Sequence, residues 1–242
     1  MQFDVVKTNI INVAADAIVL PANEQLKEGS GTSRAIFEAA GRTALTKACN
    51  KIGHCDMGNA VPTLAFNLKA KYIVHAVVPC WIDGENGEYD LLSSAYLSAL
   101  NIADIMGCES IAFPILASGN NGFDKELAVQ IAQESIERFS GINIKKIILV
   151  VYGDSMEDLM KSMNYSVMYI PDRLRVDEKK AEHRAKAQKI LADSKEVAQK
   201  FLEDQVSKAM EWLKDENNRE MVLKYGVMIA QFVLNRKGSK KK

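Results

Sequence analysis

Short, continuous apolar runs alternate with helical patterns along the chain up to about residue 170. The continuous runs include DAIVLPAN, KYIVHAVVP, SIAFPILA and IKKIILVVYG, and apolar residues recur three and four positions apart in the segments between them. Continuous apolar runs are typical of parallel strands buried on both faces, and the intervening periodicity is typical of amphipathic helices. The alternation predicts an α/β fold, a three-layer α/β/α sandwich with a mostly parallel central sheet.

The pattern changes after Pro171-Asp172. Residues 174–242 contain no proline, and apolar residues such as Val197 and Phe201 recur there at helical spacing between long charged intervals. We therefore predict two domains: an α/β domain at 1–173 and an amphipathic α-helical extension with a basic tail at 174–242. The extension offers a surface for a protein partner, although a solvated helical surface is the simpler interpretation of its charge.

Net charge is zero overall but differs between these two parts. Residues 1–173 hold 14 Lys and Arg against 20 Asp and Glu, whereas residues 174–242 hold 17 against 11. An acidic first domain argues against a general nucleic-acid binder. No apolar run approaches the roughly 18 to 20 residues of a membrane span, and the N-terminus lacks a signal-peptide pattern. We therefore expect a cytoplasmic protein with neither a membrane nor a nucleic-acid partner.

Four cysteines raise the question of a metal site. Cys49, His54 and Cys55 lie close together in CNKIGHC, but no CxxC pair is present. Adjacent His and Cys ligands fit one tetrahedral site poorly, and no second ligand pair is evident. We expect reduced, mostly buried thiols, no metal and no cofactor.

Two glycine-containing loops lie where predicted strands end and predicted helices begin. One includes Gly29 to Thr32, and the other runs from Ser118 to Gly122. Successive backbone N–H groups and the positive end of a helix dipole can together bind phosphate, so two such loops on one sheet edge could hold a diphosphate. Each loop alone has a purely structural interpretation. Neither is a Walker A or GxGxxG motif, which argues against a nucleoside triphosphate held through magnesium.

Three segments resemble the macrodomain family. DAIVLPANEQLKEGSGTSRAIFEAAG looks like its first signature, GNAVPTLAFNLKAKYIVHAVVPCW like its middle segment, and SIAFPILASGNNGFDKELAVQIA like its second ligand loop. The motifs occur in the family's order and cover roughly residues 1–155. The resemblance implies a sandwich that binds ADP-ribose or ADP-ribosylated protein.

The resemblance also implies roles for particular residues. Asp16 stands where the family places an acceptor for the adenine amino group, and Asn23 matches an asparagine beside the distal ribose. Phe123 corresponds to an aromatic near that ribose, and Tyr152 to an aromatic against the adenine, although strand-end packing would also explain Tyr152. The remaining implied binding residues are Gly29, Gly31, Thr32 and Ser33 in the first loop and Ser118, Gly119, Asn120, Asn121 and Gly122 in the second.

Catalysis is less clear from the resemblance than binding. Ser33 stands where the family's hydrolytic branch often has an aspartate, and a serine cannot act as a base at neutral pH without a partner. Other branches hydrolyse ADP-ribosyl esters without that aspartate, using bound water and the substrate's phosphate. Three hypotheses remain: a hydrolase of ADP-ribosyl bonds or O-acyl-ADP-ribose with Asn23 as its catalytic residue, a non-catalytic ADP-ribose reader, or a domain that binds another nucleotide or acts as a scaffold through its C-terminal helices.

Overall fold

The structure is a computed structural model that describes residues 1–170. The predicted helical extension at 174–242 lies outside the described residues. A short 3-10 helix spans Ile10–Asn12. The strands are β1 (Gln2–Lys7), β2 (Ala17–Ala22), β3 (Ala60–Leu64), β4 (Tyr72–Val77), β5 (Ser110–Pro114), β6 (Lys146–Val151) and β7 (Val167–Tyr169). The α-helices are α1 (Thr32–Ala40), α2 (Arg42–Ile52), α3 (Glu88–Ile105), α4 (Lys125–Glu137) and α5 (Asp154–Ser162).

The seven strands found between residues 1 and 170 form one sheet in the order β3-β4-β2-β5-β6-β1-β7. Every neighbouring pair is parallel except β3 and β4, which are antiparallel. The buried runs behave as parallel strands because helices return the chain to the same end of the sheet after most strands. The predicted α/β fold with a mostly parallel sheet is confirmed.

Helices cover both faces of the sheet. On β2, Ala17 and Val19 belong to the core that also contains buried residues of α3, α4 and α5. Successive strand residues face opposite sides, so Ile18 and Leu20, both fully buried, face the other layer. That layer contains α1 and α2, which are separated at Gly41, where a φ of 96° interrupts the helical pattern over residues 32–52.

The buried histidine of β4 illustrates this second layer. His75 lies 2.9 Å from Thr63 Oγ1 through Nε2 and is near the Cys49 sulfur of α2. Burial lowers the pKa of His75 to about 3, so the imidazole is neutral at physiological pH. Its position inside the sandwich gives it a structural role.

The described residues contain neither a membrane-length apolar helix nor a metal-binding cluster. No helix between residues 1 and 170 is long and apolar enough to cross a bilayer. The same part of the chain brings no three His, Cys, Asp or Glu side chains together as metal ligands. Burial raises the pKa of Cys49 to about 11 and that of Cys55 to about 12, and Asp56 and Glu24 contribute to the second shift. Both thiols therefore stay protonated.

Candidate ligand-binding cleft

A cleft of about 560 Å³ opens at the carboxyl ends of β2, β5 and β6. Its volume is within the range of small-molecule sites, and its position is where parallel α/β sheets bind ligands. Ten of the predicted site residues line it: Asn23, Gly29, Gly31, Thr32, Ser33, Ser118, Gly119, Asn120, Asn121 and Tyr152.

The first loop runs from Gly29 to Gly31 and leads into α1. Gly31 precedes the helix with a φ of 56°, and no side chain of the described residues caps the helix there. The amides of the first turn of α1 are consequently available to a ligand. The Gly29 amide behaves differently, because it donates to the buried Ser33 hydroxyl at 3.0 Å. Ser33 therefore fixes the shape of this loop.

The second loop, residues 118–122, is held by its own hydrogen bonds. The Ser118 hydroxyl donates to the Ile115 carbonyl at 2.9 Å, and the Gly122 amide donates to the Gly119 carbonyl at 3.0 Å. α4 begins shortly afterwards, but Asp124 caps it by accepting two amides of its first turn. The helix end behind this loop is thus partly satisfied by a carboxylate. Any anion held here would depend mainly on the loop's own amides.

A hydrogen bond joins the two loops across the cleft. The Asn120 side-chain amide donates to the Ser30 hydroxyl at 2.7 Å. Both residues line the cleft. A ligand between the loops would therefore have amide-presenting backbone on two sides and this bond beside it.

Asn23, the predicted catalytic residue, braces the segment that follows β2. Its Nδ2 donates to the Lys27 carbonyl at 2.9 Å, and its Oδ1 accepts from the Lys27 amide at 3.0 Å. An asparagine amide retains a second N–H and a second lone pair after such a pairing. Asn23 can thus contact a ligand while holding residues 23–27 in place.

Charged residues on the cleft wall were missed by the sequence interpretation. Among the described residues that line the cleft, Lys125 is the one basic side chain and Glu24 the one carboxylate. Lys125 Nζ donates to Ser155 Oγ at 3.1 Å, and Tyr152, which lines the same cleft, is 73% exposed. Lys125 follows the second loop by a few residues, and this closeness in sequence could have predicted that it lies at the cleft. Glu24 directly follows Asn23.

Asp16 does not lie at the cleft, where its predicted role would require it. It precedes β2 at the amino edge of the sheet, opposite the cleft. One oxygen accepts from the Glu109 and Ser110 amides, and the other is 2.9 Å from Lys71 Nζ. Partial burial acts to raise the pKa of Asp16, but Lys71 and the Glu109 amide outweigh it and lower the pKa. The expectation that Asp16 binds the adenine amino group is corrected: it joins β2 to the segment before β5.

Gly122 and Phe123 also do not line the cleft. Phe123 is 4% exposed, and its ring packs edge-to-face against Trp81 with centroids 5.0 Å apart. The expectation that Phe123 contacts a ribose is corrected accordingly. Gly122, with a φ of 80°, forms the turn between the second loop and this aromatic pair.

Comparison with known proteins gives this fold and cleft a family. A family model described as "Macro domain" matches residues 19–132. A "Macro domain-containing protein" from Caldanaerobacter subterraneus subsp. tengcongensis is 40% identical over 157 residues, which cover 63% of this chain and 90% of that protein. An "O-acetyl-ADP-ribose deacetylase" from Escherichia fergusonii is 42% identical over 142 residues, covering 57% and 80%.

Solved structures agree with these relatives. The Oceanobacillus iheyensis macrodomain with ADP matches with a TM-score of 0.61 and 28% identity, covering 65% of this chain and 87% of that one. A variant of the same macrodomain with ADPR matches with a TM-score of 0.61 and 25% identity, covering 65% and 89%. The fold and cleft thus define an α/β sandwich protein of the macrodomain type. The chain belongs to the macro domain family.

Proposed function

We propose that the cleft binds ADP-ribose and that the protein hydrolyses an acyl ester or an ADP-ribosyl bond at the distal ribose. The observation that carries the binding proposal is the pair of amide-presenting loops, joined by Asn120 and Ser30, at the carboxyl edge of the sheet. Backbone amides in such loops suit a diphosphate. Relatives described as O-acetyl-ADP-ribose deacetylases support the ester as the first substrate to test.

The cleft also suits a ligand that is longer than a mononucleotide. Tyr152 lies at the end of β6, whereas Asn23 lies at the end of β2, and β5 separates these strands in the sheet. An adenine beside Tyr152 and a distal ribose beside Asn23 would place the diphosphate between the two loops. Lys125, on the same wall, favours an anionic ligand.

The hydrolytic step is water addition to the ester carbonyl. Hydrolysis of O-acetyl-ADP-ribose consumes one water and yields ADP-ribose, acetate and a proton. Asn23 would orient the distal ribose, and such positioning is worth several kcal/mol in favourable cases. The attacking water would lose its proton either to the ligand's own phosphate or to Glu24, the one carboxylate on the described cleft wall.

Calorimetry and turnover test the two parts separately. Titration with ADP-ribose, AMP and ATP should show ADP-ribose binding tightest, and equal affinity for AMP or ATP would refute the diphosphate-plus-ribose arrangement. Acetate release from O-acetyl-ADP-ribose and ADP-ribose release from mono-ADP-ribosylated protein test hydrolysis. A Glu24→Gln variant that loses kcat with an unchanged KM would assign the proton to Glu24, and full activity would assign it to the ligand.

A non-catalytic reader is the second candidate. The observation in its favour concerns Ser33, whose buried hydroxyl accepts a hydrogen bond from the Gly29 amide. This hydroxyl is therefore engaged in the loop and is not paired with a base that could activate it. A reader would bind ADP-ribose in calorimetry and release neither product in either turnover assay.

A further inference from the structure

A buried carboxylate outside the cleft organises a loop next to it. Glu88, the first residue of α3, is 2% exposed. Its Oε1 accepts from the Ile82, Asp83 and Gly84 amides at 3.1 to 3.2 Å, and its Oε2 accepts from the Asn86 amide at 2.8 Å. Burial acts to raise the pKa of Glu88, but backbone amides outweigh it and lower the pKa to about 2.

The loop anchored in this way, residues 79–87, is called the support loop here. It makes hydrogen bonds to both the main chain and a side chain of the second cleft loop. The Trp81 amide donates to the Asn121 carbonyl at 2.7 Å, and the Asn121 side chain donates to the Pro79 carbonyl at 3.0 Å. The Trp81 ring packs against Phe123 on one side. At Gly84, an added Cβ would lie 2.9 Å from that ring, so the backbone there closes over Trp81.

These contacts form a continuous connection from a carboxylate to the cleft wall. Asn121 is held by the support loop and is adjacent to Asn120 and Gly119, which face the cleft. We propose that Glu88 is a positioning residue that fixes the second cleft loop through the support loop and Trp81 without touching the ligand. The proposal rests on the proposed ADP-ribose function only for its binding readout.

A second carboxylate provides a matched control. Asp104 accepts from the Ile142, Asn143 and Ile144 amides at 2.7 to 3.1 Å, so it organises a loop in the same manner. That loop precedes β6 at the amino edge of the sheet, away from the cleft. Glu88→Gln and Asp104→Asn each remove one charge with almost no change in shape.

The first experiment needs no ligand. The chain has two tryptophans, and Trp212→Phe leaves Trp81 as a single fluorescent reporter. In this background, Glu88→Gln should shift the Trp81 emission to longer wavelength and speed amide hydrogen exchange in both 79–87 and 118–123. Asp104→Asn should speed exchange only around 141–145. Unchanged exchange in 118–123 for Glu88→Gln would overturn the proposal, whether or not the protein binds ADP-ribose.

The second experiment measures ADP-ribose binding in the full chain by calorimetry. Glu88→Gln should weaken binding by about tenfold, as expected when several charge-assisted hydrogen bonds are weakened, and Asp104→Asn should stay within about twofold at a comparable loss in Tm. Equal weakening by the two variants would mean general destabilisation and would overturn the proposal. If Glu88→Gln does not fold, Trp81→Leu tests the same connection and should also weaken binding by about tenfold; unchanged binding would be a refutation.

Discussion

Gly119 offers a direct test of where the ligand's negative charge lies. It lines the cleft on the second loop, and a Cβ built there meets no atom within 4 Å. Its φ lies outside the left-handed region that would favour glycine. Gly119→Ala, Gly119→Gln and Gly119→Glu should therefore fold equally well, and their Tm values should differ by no more than a few degrees.

The expected difference between the glutamine and glutamate variants is electrostatic. At an effective dielectric constant of about 20, two unit charges about 6 Å apart repel by about 3 kcal/mol. Screening at an open cleft reduces this to roughly 1.4 to 2.7 kcal/mol. Gly119→Gln introduces the same bulk without the charge, so the glutamate variant should bind ADP-ribose about 10- to 100-fold more weakly than the glutamine variant.

Calorimetry at about 50 mM and about 300 mM salt provides the assay, because salt screens the charge term and leaves the bulk term. Gly119→Ala should stay within a few-fold of the unsubstituted protein. The gap between glutamate and glutamine should narrow at the higher salt concentration. Equal affinities at low salt would refute the reasoning, since no anionic group of the ligand could then lie beside this loop.

Three further substitutions test other parts of the structure. Asn23→Ala should lower kcat by about tenfold or more and also weaken ADP-ribose binding, because residues 23–27 lose two hydrogen bonds worth about 1 kcal/mol each; Asn143→Ala, at the opposite edge, is the control, and equal effects would contradict the prediction. Ser33→Ala should weaken ADP-ribose binding, because the Gly29 amide loses its acceptor, but should keep most of kcat, and a folded variant without turnover at saturating substrate would point to Ser33 as a catalytic residue. His75 is neutral in the folded protein, whereas its pKa in the unfolded chain is about 6.5. The unfolded state therefore binds more protons than the folded state between about pH 3 and 6.5. As the pH decreases through this range, the free energy of unfolding falls by up to about 1.4 kcal/mol per pH unit. Urea unfolding of His75→Gln should show a shallower fall between about pH 6.5 and 4.5, and an unchanged slope would contradict this.

The sequence pattern predicted the sheet well because buried parallel strands require continuous apolar runs. It also placed both loops correctly, since each follows such a run in chain order. Asp16 was assigned by resemblance alone. It precedes β2, and a residue before a parallel strand lies at the edge opposite the carboxyl-edge cleft, so strand direction was sufficient to exclude it.

Other features depended on contacts that local sequence does not specify. Whether Phe123 faces the cleft or the core depends on Trp81, which comes from a different loop. The bond between Asn120 and Ser30 joins residues 90 positions apart. From the sequence, Glu88 resembles any acidic residue in the first turn of a helix. The backbone amides that donate to it belong to the preceding loop, and only the folded loop brings them to the carboxylate.

The hydrogen bond between Asn120 and Ser30 affects the rates at which a ligand can enter and leave the cleft. A neutral hydrogen bond worth about 1 kcal/mol leaves its partners apart roughly 15% of the time. A ligand too wide to pass beneath the joined loops would enter and leave the cleft only during these open intervals. Entry and exit are then slowed by the same factor, and their ratio is preserved. The hydrogen bond would lengthen the residence time of such a ligand and leave its equilibrium affinity unchanged.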